Sequence, residues 1–396
     1  MKVKAHKLYY LISFLQFFMA EITGTTLILF ILNKGFSLQL ANNLLIVMFV
    51  GVMILEIPTG IIADRFGRKV SIIFGFLCYL IYTVIFLLTD DIYLLIIAQI
   101  FAALATCLQS GALESWVVEN SEEPIDNIFS TSNSIMYMAG FVCGILGAFL
   151  ASIYFGLPWI VSIFTNIILL LLCFIFMKEI KWNSVGDEKK KLASVKSIFI
   201  SSKDIVFSEK SLIIIFIVGI FVNFSNSAAN TFQQPRFVAL SDNGVWVFGI
   251  IKTVYSLFMS IGSLWVKKLS KSFNDRTVLI ISLCMLGVWL ILSGVLDSFY
   301  PVLATFMIYE IGRGMYPTAR QIYINRRITS DYRATILSLD SAITRIGMCL
   351  GLFVTGIISK NFVSLSDNQW PIKISWIICG VAAIIPILLL RKIKKK

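Results

Sequence analysis

The 396-residue chain is 58% hydrophobic and only 14% charged, whereas an ordinary soluble domain is roughly 45–50% apolar and about 25% charged. This composition excludes a soluble globule. The net charge of +12 indicates a basic cytoplasmic surface in a membrane protein rather than nucleic-acid binding. All seven cysteines fall inside apolar runs without a Cys-x-x-Cys spacing, and the chain has one histidine, so we expect no disulfide, no metal and no cofactor.

Twelve apolar segments follow one another along the chain, each about as long as the 20 or so residues of a membrane-spanning helix. The first six lie at 8–32, 39–62, 70–89, 92–115, 130–153 and 158–177. The second six lie at 211–234, 245–266, 277–296, 301–322, 334–358 and 372–390. The sequence therefore predicts an all-α membrane protein, with an N-terminal six-helix bundle at 1–177, a cytoplasmic linker at 178–210 and a C-terminal six-helix bundle at 211–396.

Lysine and arginine positions test this layout, because short loops rich in these residues stay on the cytoplasmic side. With both termini in the cytoplasm, 27 of the 34 basic residues fall on that side, Arg320 among them, and four fall outside, Arg236 among them. The remaining three, Lys252, Arg313 and Arg345, lie inside predicted spans. The count predicts that both termini are cytoplasmic.

The turn after the second segment carries a group of glycines and charged residues: Gly60, Asp64, Arg65, Gly67, Arg68 and Lys69. Gly60 would let helices approach, and Gly67 would permit a tight reversal of the chain. The sequence here, GIIADRFGRK, resembles the loop motif G-x-x-x-D-R-x-G-R-K of the major facilitator superfamily, at the family's own position. The resemblance implies a gating latch in which Asp64 and Arg68 take part. The alternative is that the three cations only anchor the cytoplasmic side.

Two further stretches are similar to bacterial drug-efflux members of that superfamily. They read SGALESW at 110–116 and NRRITSDYRAT at 325–335. A Gly-x-x-x-Gly pair also recurs at matching positions in the two halves, at 140–144 and 347–351, where small residues let helices approach closely. The resemblance thus extends over the whole chain and implies the superfamily's twelve-helix fold.

In that fold, spans one, four, seven and ten line the central cavity, and polar residues of this chain fall on those spans. We predict that they bind substrate or protons: Glu21, Thr25, Gln109, Asn223, Asn226, Asn230, Glu310 and Arg313. A charge at mid-bilayer costs on the order of 2.5–3.5 kcal/mol, so each needs a partner, water or a neutralising proton. The alternative interpretation is structural, with interhelical hydrogen bonds for the amides and a static ion pair for Glu310 and Arg313.

Glu21 has no cation within a helical turn, so apolar surroundings should favour its neutral form, as a proton carrier requires. Asp340 and Arg345, near the cytoplasmic end of span eleven, are predicted to make gate contacts. Lys252 lies in span eight, away from the cavity spans, and is interpreted as a packing or interfacial residue.

The leading hypothesis is a secondary transporter that exports a small amphipathic molecule or antibiotic by proton-coupled alternating access. Proton-coupled nutrient uptake is the alternative. A membrane-embedded enzyme is disfavoured, because the sequence has no intramembrane histidine, no His-Glu-x-x-His and no phosphate-binding glycine loop. The expected partners are the substrate, protons and the lipid bilayer, without nucleic acid. We expect a monomer in the bacterial cytoplasmic membrane.

Overall fold

The computed structural model describes residues 4–178, 210–241, 244–327 and 333–391, apart from the side chains of 57, 61, 62, 64, 65, 126, 137, 138, 141, 210, 333–335, 337 and 338. Most of the predicted linker therefore lies outside the described residues, as do residues 328–332 of the second efflux-like stretch. Within the described ranges every regular element is an α-helix.

The first eight helices are α1 (Ala5–Gly24), α2 (Leu27–Asn33), α3 (Leu38–Phe66), α4 (Arg68–Leu88), α5 (Ile92–Gln109), α6 (Ala112–Asn120), α7 (Ile125–Ile153) and α8 (Leu157–Phe176). The next seven are α9 (Lys210–Ser241), α10 (Trp246–Ser272), α11 (Asp275–Val295), α12 (Phe299–Asn325), α13 (Arg333–Ile358), α14 (Trp370–Ile384) and α15 (Ile387–Leu390).

Most of these helices can cross a membrane. In the described part of the chain, nine spans are long and apolar enough, and the pair α1 and α2, bent by 43°, makes ten. The other two predicted segments coincide with α7, whose fully described apolar part is the short stretch Val142–Ile153, and with α12, which is long enough but more polar. The count of twelve spans and the cytoplasmic termini stay predictions.

Three predicted segments are broken by local chemistry that an apolar run does not reveal. Between α1 and α2, the Thr25 hydroxyl donates to the Glu21 carbonyl at 2.7 Å, a bond that bends helices. Between α5 and α6, Gly111 takes the left-handed conformation with φ +70°. Between α14 and α15, Pro386 lacks the N–H that a continuous helix needs.

The described residues fall into two compact units. Unit 1 contains those of 1–183 and 242–253, and unit 2 those of 184–241 and 254–396. In unit 1, α1 packs on α7 and α8, while α4 packs on α5 and α8. In unit 2, α9 packs on α13 and α14, while α11 packs on α12 and α14. The two units therefore repeat one packing scheme.

Each unit also buries a tryptophan among aromatic rings. Trp159 of α8 lies with its ring centre 5.0 Å from that of Phe86 and 4.9 Å from that of Phe30. Trp376 of α14 stacks on Phe306 at 5.3 Å. Both tryptophans are fully buried, so each contributes a large apolar area to the core of its unit.

A basic side chain ties helices together in each unit. Lys34, after α2, donates to the Asp90 carboxylate at 2.8 Å and to the Thr89 carbonyl at 2.7 Å. Arg236 of α9 donates to the Leu296 carbonyl at 2.8 Å and lies 3.4 Å from Asp297. The sequence places Arg236 in an outer loop, but α9 continues to Ser241 and the arginine is 1% exposed.

Glycines set the closest helix contacts inside both units. A Cβ on Gly147 of α7 would lie 2.6 Å from the Ile22 carbonyl oxygen of α1. A Cβ on Gly351 of α13 would lie 2.6 Å from the Phe224 carbonyl oxygen of α9. Gly60 differs, because no described atom lies within 4 Å of such a Cβ. The close approach expected at Gly60 is therefore not made by the described residues.

This difference predicts the stability of two alanine variants. Gly147→Ala should lower the melting temperature in detergent, because the new methyl group meets the backbone of α1. Gly60→Ala should keep or raise it, since alanine favours a helix interior over glycine by about 1 kcal/mol. A Gly147→Ala protein as stable as the unsubstituted chain would contradict the close contact.

Candidate functional site

Glu21 and Lys252 form an ion pair inside unit 1. The Lys252 Nζ lies 2.5 Å from Glu21 Oε2 and donates to the Thr25 hydroxyl at 2.9 Å. The Lys252 side chain is 17% exposed and the Glu21 side chain is 31% exposed. The sequence analysis did not identify this cationic partner of Glu21, because it lies 231 positions away in the sequence. The carboxylate and the ammonium group neutralise each other.

Glycines of α7 and α10 place Lys252 at this carboxylate. A Cβ on Gly249 would lie 2.8 Å from the Gly144 carbonyl oxygen and 2.8 Å from the Ala148 Cβ, so the two helices touch through their backbones. A Cβ on Gly144 would lie 3.7 Å from Lys252 Cδ. Gly144 therefore has two roles: it lets α10 approach, and it leaves room for the lysine stem.

Gln109, predicted from span four, lies at the end of α5 and is 8% exposed. Its Oε1 accepts a hydrogen bond from Gln16 Nε2 of α1 at 2.6 Å. A Cβ on Gly75 of α4 would lie 2.6 Å from Gln109 Cγ, so the glycine makes space for this side chain. The sequence analysis did not single out Gln16, whose amide joins α1 to α5.

Unit 2 holds the predicted pair of α12. Arg313 NH1 donates to Glu310 Oε1 at 3.0 Å, and Glu310 is fully buried. Its second oxygen, Oε2, has no hydrogen-bond partner among the described residues. One residue away, the Tyr309 hydroxyl donates to Asn226 Oδ1 of α9 at 3.0 Å. The structure thus brings the amide side of α9 and the charged side of α12 together.

The other two predicted amides of α9 are half-buried. Asn223 Nδ2 donates to the Gly219 carbonyl of its own helix at 3.0 Å, while Asn230 lies two turns further along. The three asparagines therefore lie on one helix, but only Asn226 contacts α12 through a described hydrogen bond.

The motif of glycines and charged residues at 60–69 lies where α3 ends and α4 begins. Gly67 has φ +100°, which suits glycine and reverses the chain between the two helices. Asp64 and Arg65 are in the last turn of α3, and their side chains lie outside the described part of the structure.

The two basic residues that follow contact other helices of unit 1. Arg68 Nε lies 3.6 Å from Glu119 Oε1 of α6. Lys69 Nζ donates to the carbonyls of Phe174 and Met177, at the end of α8, at 2.9 and 2.8 Å. Lys69 therefore caps the C-terminus of α8, where a cation is favoured.

Asp340, predicted as a gate residue, accepts a hydrogen bond from Arg320 Nε at 3.1 Å. Arg320 also contacts the Tyr316 hydroxyl one turn before it and is 6% exposed. The charge count places Arg320 in a cytoplasmic loop, whereas α12 runs on to Asn325 and buries it. Arg345 is half-buried on α13.

No group of three or more His, Cys, Asp or Glu side chains that could hold a metal occurs among the described residues. Of the contacts that sequence analysis missed, the partner of Glu21 left a signal. A lysine in the middle of an apolar segment requires a counter-charge, and Glu21 is a carboxylate in another segment with no cation nearby in sequence.

Comparison with known proteins gives matches over nearly the whole chain. The sequence profile described as Major Facilitator Superfamily matches residues 9–251 and 215–396. The uncharacterized MFS-type transporter YxaM of Bacillus subtilis (strain 168) is 24% identical over 371 residues, covering 91% of this chain and 89% of that protein. The uncharacterized transporter BU466 of Buchnera aphidicola subsp. Acyrthosiphon pisum (strain APS) is 23% identical, covering 86% of this chain and 87% of that protein.

Solved structures show the same fold. The nucleoside transporter NupG superposes with a TM-score of 0.80 at 15% identity, covering 99% of this chain and all of that one. The D-xylose-proton symporter superposes with a TM-score of 0.72 at 13% identity, covering 99% of this chain and 98% of that one. These likenesses and the profile match confirm the predicted fold class.

The buried pair of α12 gives a stability prediction. Glu310→Gln or Arg313→Gln alone leaves an uncompensated buried charge and should cost about 3–5 kcal/mol of unfolding free energy. The double substitution removes both charges and should recover part of that loss. Melting temperatures of the three variants in detergent test this expectation, and two single variants as stable as the unsubstituted protein would rule out the pairing.

Proposed function

The chain belongs to the major facilitator superfamily, and on that premise we propose that it exports a small amphipathic molecule, such as an antibiotic, by proton-coupled alternating access. Members of this family are transporters of small molecules rather than enzymes. The chain is accordingly a multi-pass protein of the cell membrane, as its apolar helices require.

The observation that carries proton coupling is the Glu21–Lys252 pair. A proton on the Glu21 carboxylate removes the negative charge of Glu21 and hence the ion pair. Lys252 still donates to the uncharged Thr25 hydroxyl at the end of α1. The polar contacts between α1 and α10 therefore depend on whether the carboxylate carries a proton. An equilibrium between two conformations shifts only when a ligand interacts differently with each of them, and the proton is proposed to be that ligand.

Export is supported by the similarity of residues 110–116 and 325–335 to bacterial efflux proteins. Uptake of a polar nutrient is the second candidate, because Asn226 and Tyr309 offer uncharged hydrogen-bonding groups in unit 2. The names of two structural neighbours, a nucleoside transporter and a xylose-proton symporter, agree with that candidate.

The proposal assigns two roles to the predicted residues. Contacts with substrate or protons are assigned to Glu21, Thr25, Gln109, Asn223, Asn226, Asn230, Glu310 and Arg313. Gating on the cytoplasmic side is assigned to Gly60, Asp64, Arg65, Gly67, Arg68, Lys69, Asp340 and Arg345. Within the second group, the helix-capping contacts of Lys69 support a role in holding the end of α8.

Expression in a bacterial host stripped of its own exporters tests the direction of transport. A susceptibility panel should include neutral, anionic and cationic amphipathic antibiotics, and export should raise the inhibitory concentration of at least one of them. Uptake of radiolabelled uridine and xylose in a host without its own carriers tests the second candidate. Resistance without uptake supports export, and uptake without resistance overturns it.

Glu21→Gln should uncouple transport from the pH gradient, because the amide keeps the size of the side chain but cannot take a proton. Glu21→Asp, which can still titrate, is the matched control and should retain part of the coupling. Transport is measured in liposomes with and without an imposed pH gradient, using a compound identified by the panel. Full proton-coupled transport by Glu21→Gln would show that Glu21 is structural.

Asp64→Asn should greatly reduce transport while leaving expression and melting temperature near normal. A surface charge contributes little to stability, whereas a gate residue biases two states. Asp90→Asn is the control, since Asp90 is an exposed carboxylate near another junction between helices. Normal transport by a folded Asp64→Asn protein would exclude the latch.

A further inference from the structure

We propose that Lys252 determines substrate specificity: its ammonium group occupies the Glu21 carboxylate as a tethered counter-ion, so the site accepts neutral or anionic amphipathic molecules and excludes organic cations. This inference rests on the proposed function and narrows its substrate class. A carboxylate near aromatic residues would by itself suit a lipophilic cation, and the ammonium group of Lys252 reverses that preference.

The Lys252 ammonium group already occupies the Glu21 carboxylate. The ammonium nitrogen lies 2.5 Å from Glu21 Oε2 and 2.9 Å from the Thr25 hydroxyl. An organic cation that seeks the carboxylate must either displace this nitrogen or stay beside a like charge. Like charges at such a distance oppose binding strongly, and more so where water is scarce.

A backbone contact between α7 and α10 holds the lysine at this carboxylate. Gly249, three residues before Lys252, touches the backbone of α7 at Gly144, which fixes the distance between the two helices. The lysine stem passes Gly144 and ends at α1. A side chain positioned by a backbone contact costs little to hold in place, so the ammonium competes effectively with a free cation.

Aromatic side chains of α1 precede the Glu21–Lys252 pair along the helix. Phe14 and Phe18, two turns and one turn before Glu21 on α1, stack with ring centres 6.3 Å apart. Phe17 of the same helix lies 3.5 Å from a Cβ built on Gly140 of α7. Aromatic surface beside a neutralised ion pair suits an amphipathic molecule without a positive charge.

Binding of radiolabelled tetraphenylphosphonium, a lipophilic cation, tests the inference on the purified protein in lipid nanodiscs, with empty nanodiscs as background. Lys252→Met should bind the probe about tenfold or more tightly than the unsubstituted chain, because the like charge is gone. Lys252→Arg keeps the charge and should bind weakly. The double variant Glu21→Gln with Lys252→Met should also bind weakly, because the carboxylate that attracts the cation is absent.

A folded Lys252→Met protein that binds the probe no more tightly overturns the proposal, and so does a double variant that binds as tightly as Lys252→Met. If Lys252→Met does not fold, Lys252→Gln takes its place, because the amide also removes the charge and can still donate to the Thr25 hydroxyl. Lys252→Gln should likewise bind the probe more tightly than the unsubstituted chain, and equal affinity would overturn the proposal. The measurement needs no pH gradient and no transport, so it stands whether or not proton coupling is found.

Discussion

The cost of a charge inside the bilayer is the constraint on which the functional groups of this protein depend. An unpaired charge there costs on the order of 2.5–3.5 kcal/mol, and two ion pairs inside predicted spans meet this constraint. Lys252 meets Glu21 and Arg313 meets Glu310, while Arg320 meets Asp340 towards the end that is predicted to be cytoplasmic. Each pair also marks a place where polar side chains gather: Thr25 beside the first pair, Tyr309 and Asn226 beside the second, and Tyr316 beside the third.

Small residues make these pairs possible, because opposite charges on different helices must come within hydrogen-bonding distance. Gly144 and Gly249 bring α10 against α7 and so deliver Lys252 to α1. In unit 2, a Cβ on Gly219 of α9 would collide with the Arg320 guanidinium, so this glycine gives the arginine its space. Glycines that allow close helix packing therefore also position the charged side chains.

The sequence predicted the fold class because twelve apolar segments and one loop motif are strong local signals. It also placed Glu310 and Arg313 within reach of each other, since residues three apart share a helix face. It did not join Glu21 to Lys252, although two lone charges of opposite sign in apolar segments were a signal for that pair. It could not join Asp340 to Arg320, because nothing local in the chain relates residues on different helices. The ends of helices were missed for a similar reason: Arg236 and Arg320 are basic residues, so they suggest loops, but tertiary partners keep them inside α9 and α12.

The Glu310–Arg313 and Glu21–Lys252 pairs differ in whether their contact depends on the positions of two helices. Glu310 and Arg313 lie three residues apart on α12, so their separation is fixed by that helix and survives any movement of its neighbours. Glu21 and Lys252 lie on different helices, and their contact exists only while α1 and α10 keep their present distance. In the proposed mechanism, a proton or a competing ligand at Glu21 therefore changes an interhelical contact, and through it the pair of Glu21 and Lys252 couples chemistry to conformation. The pair on α12 is held within one helix, and the second carboxylate oxygen of Glu310 faces no described partner.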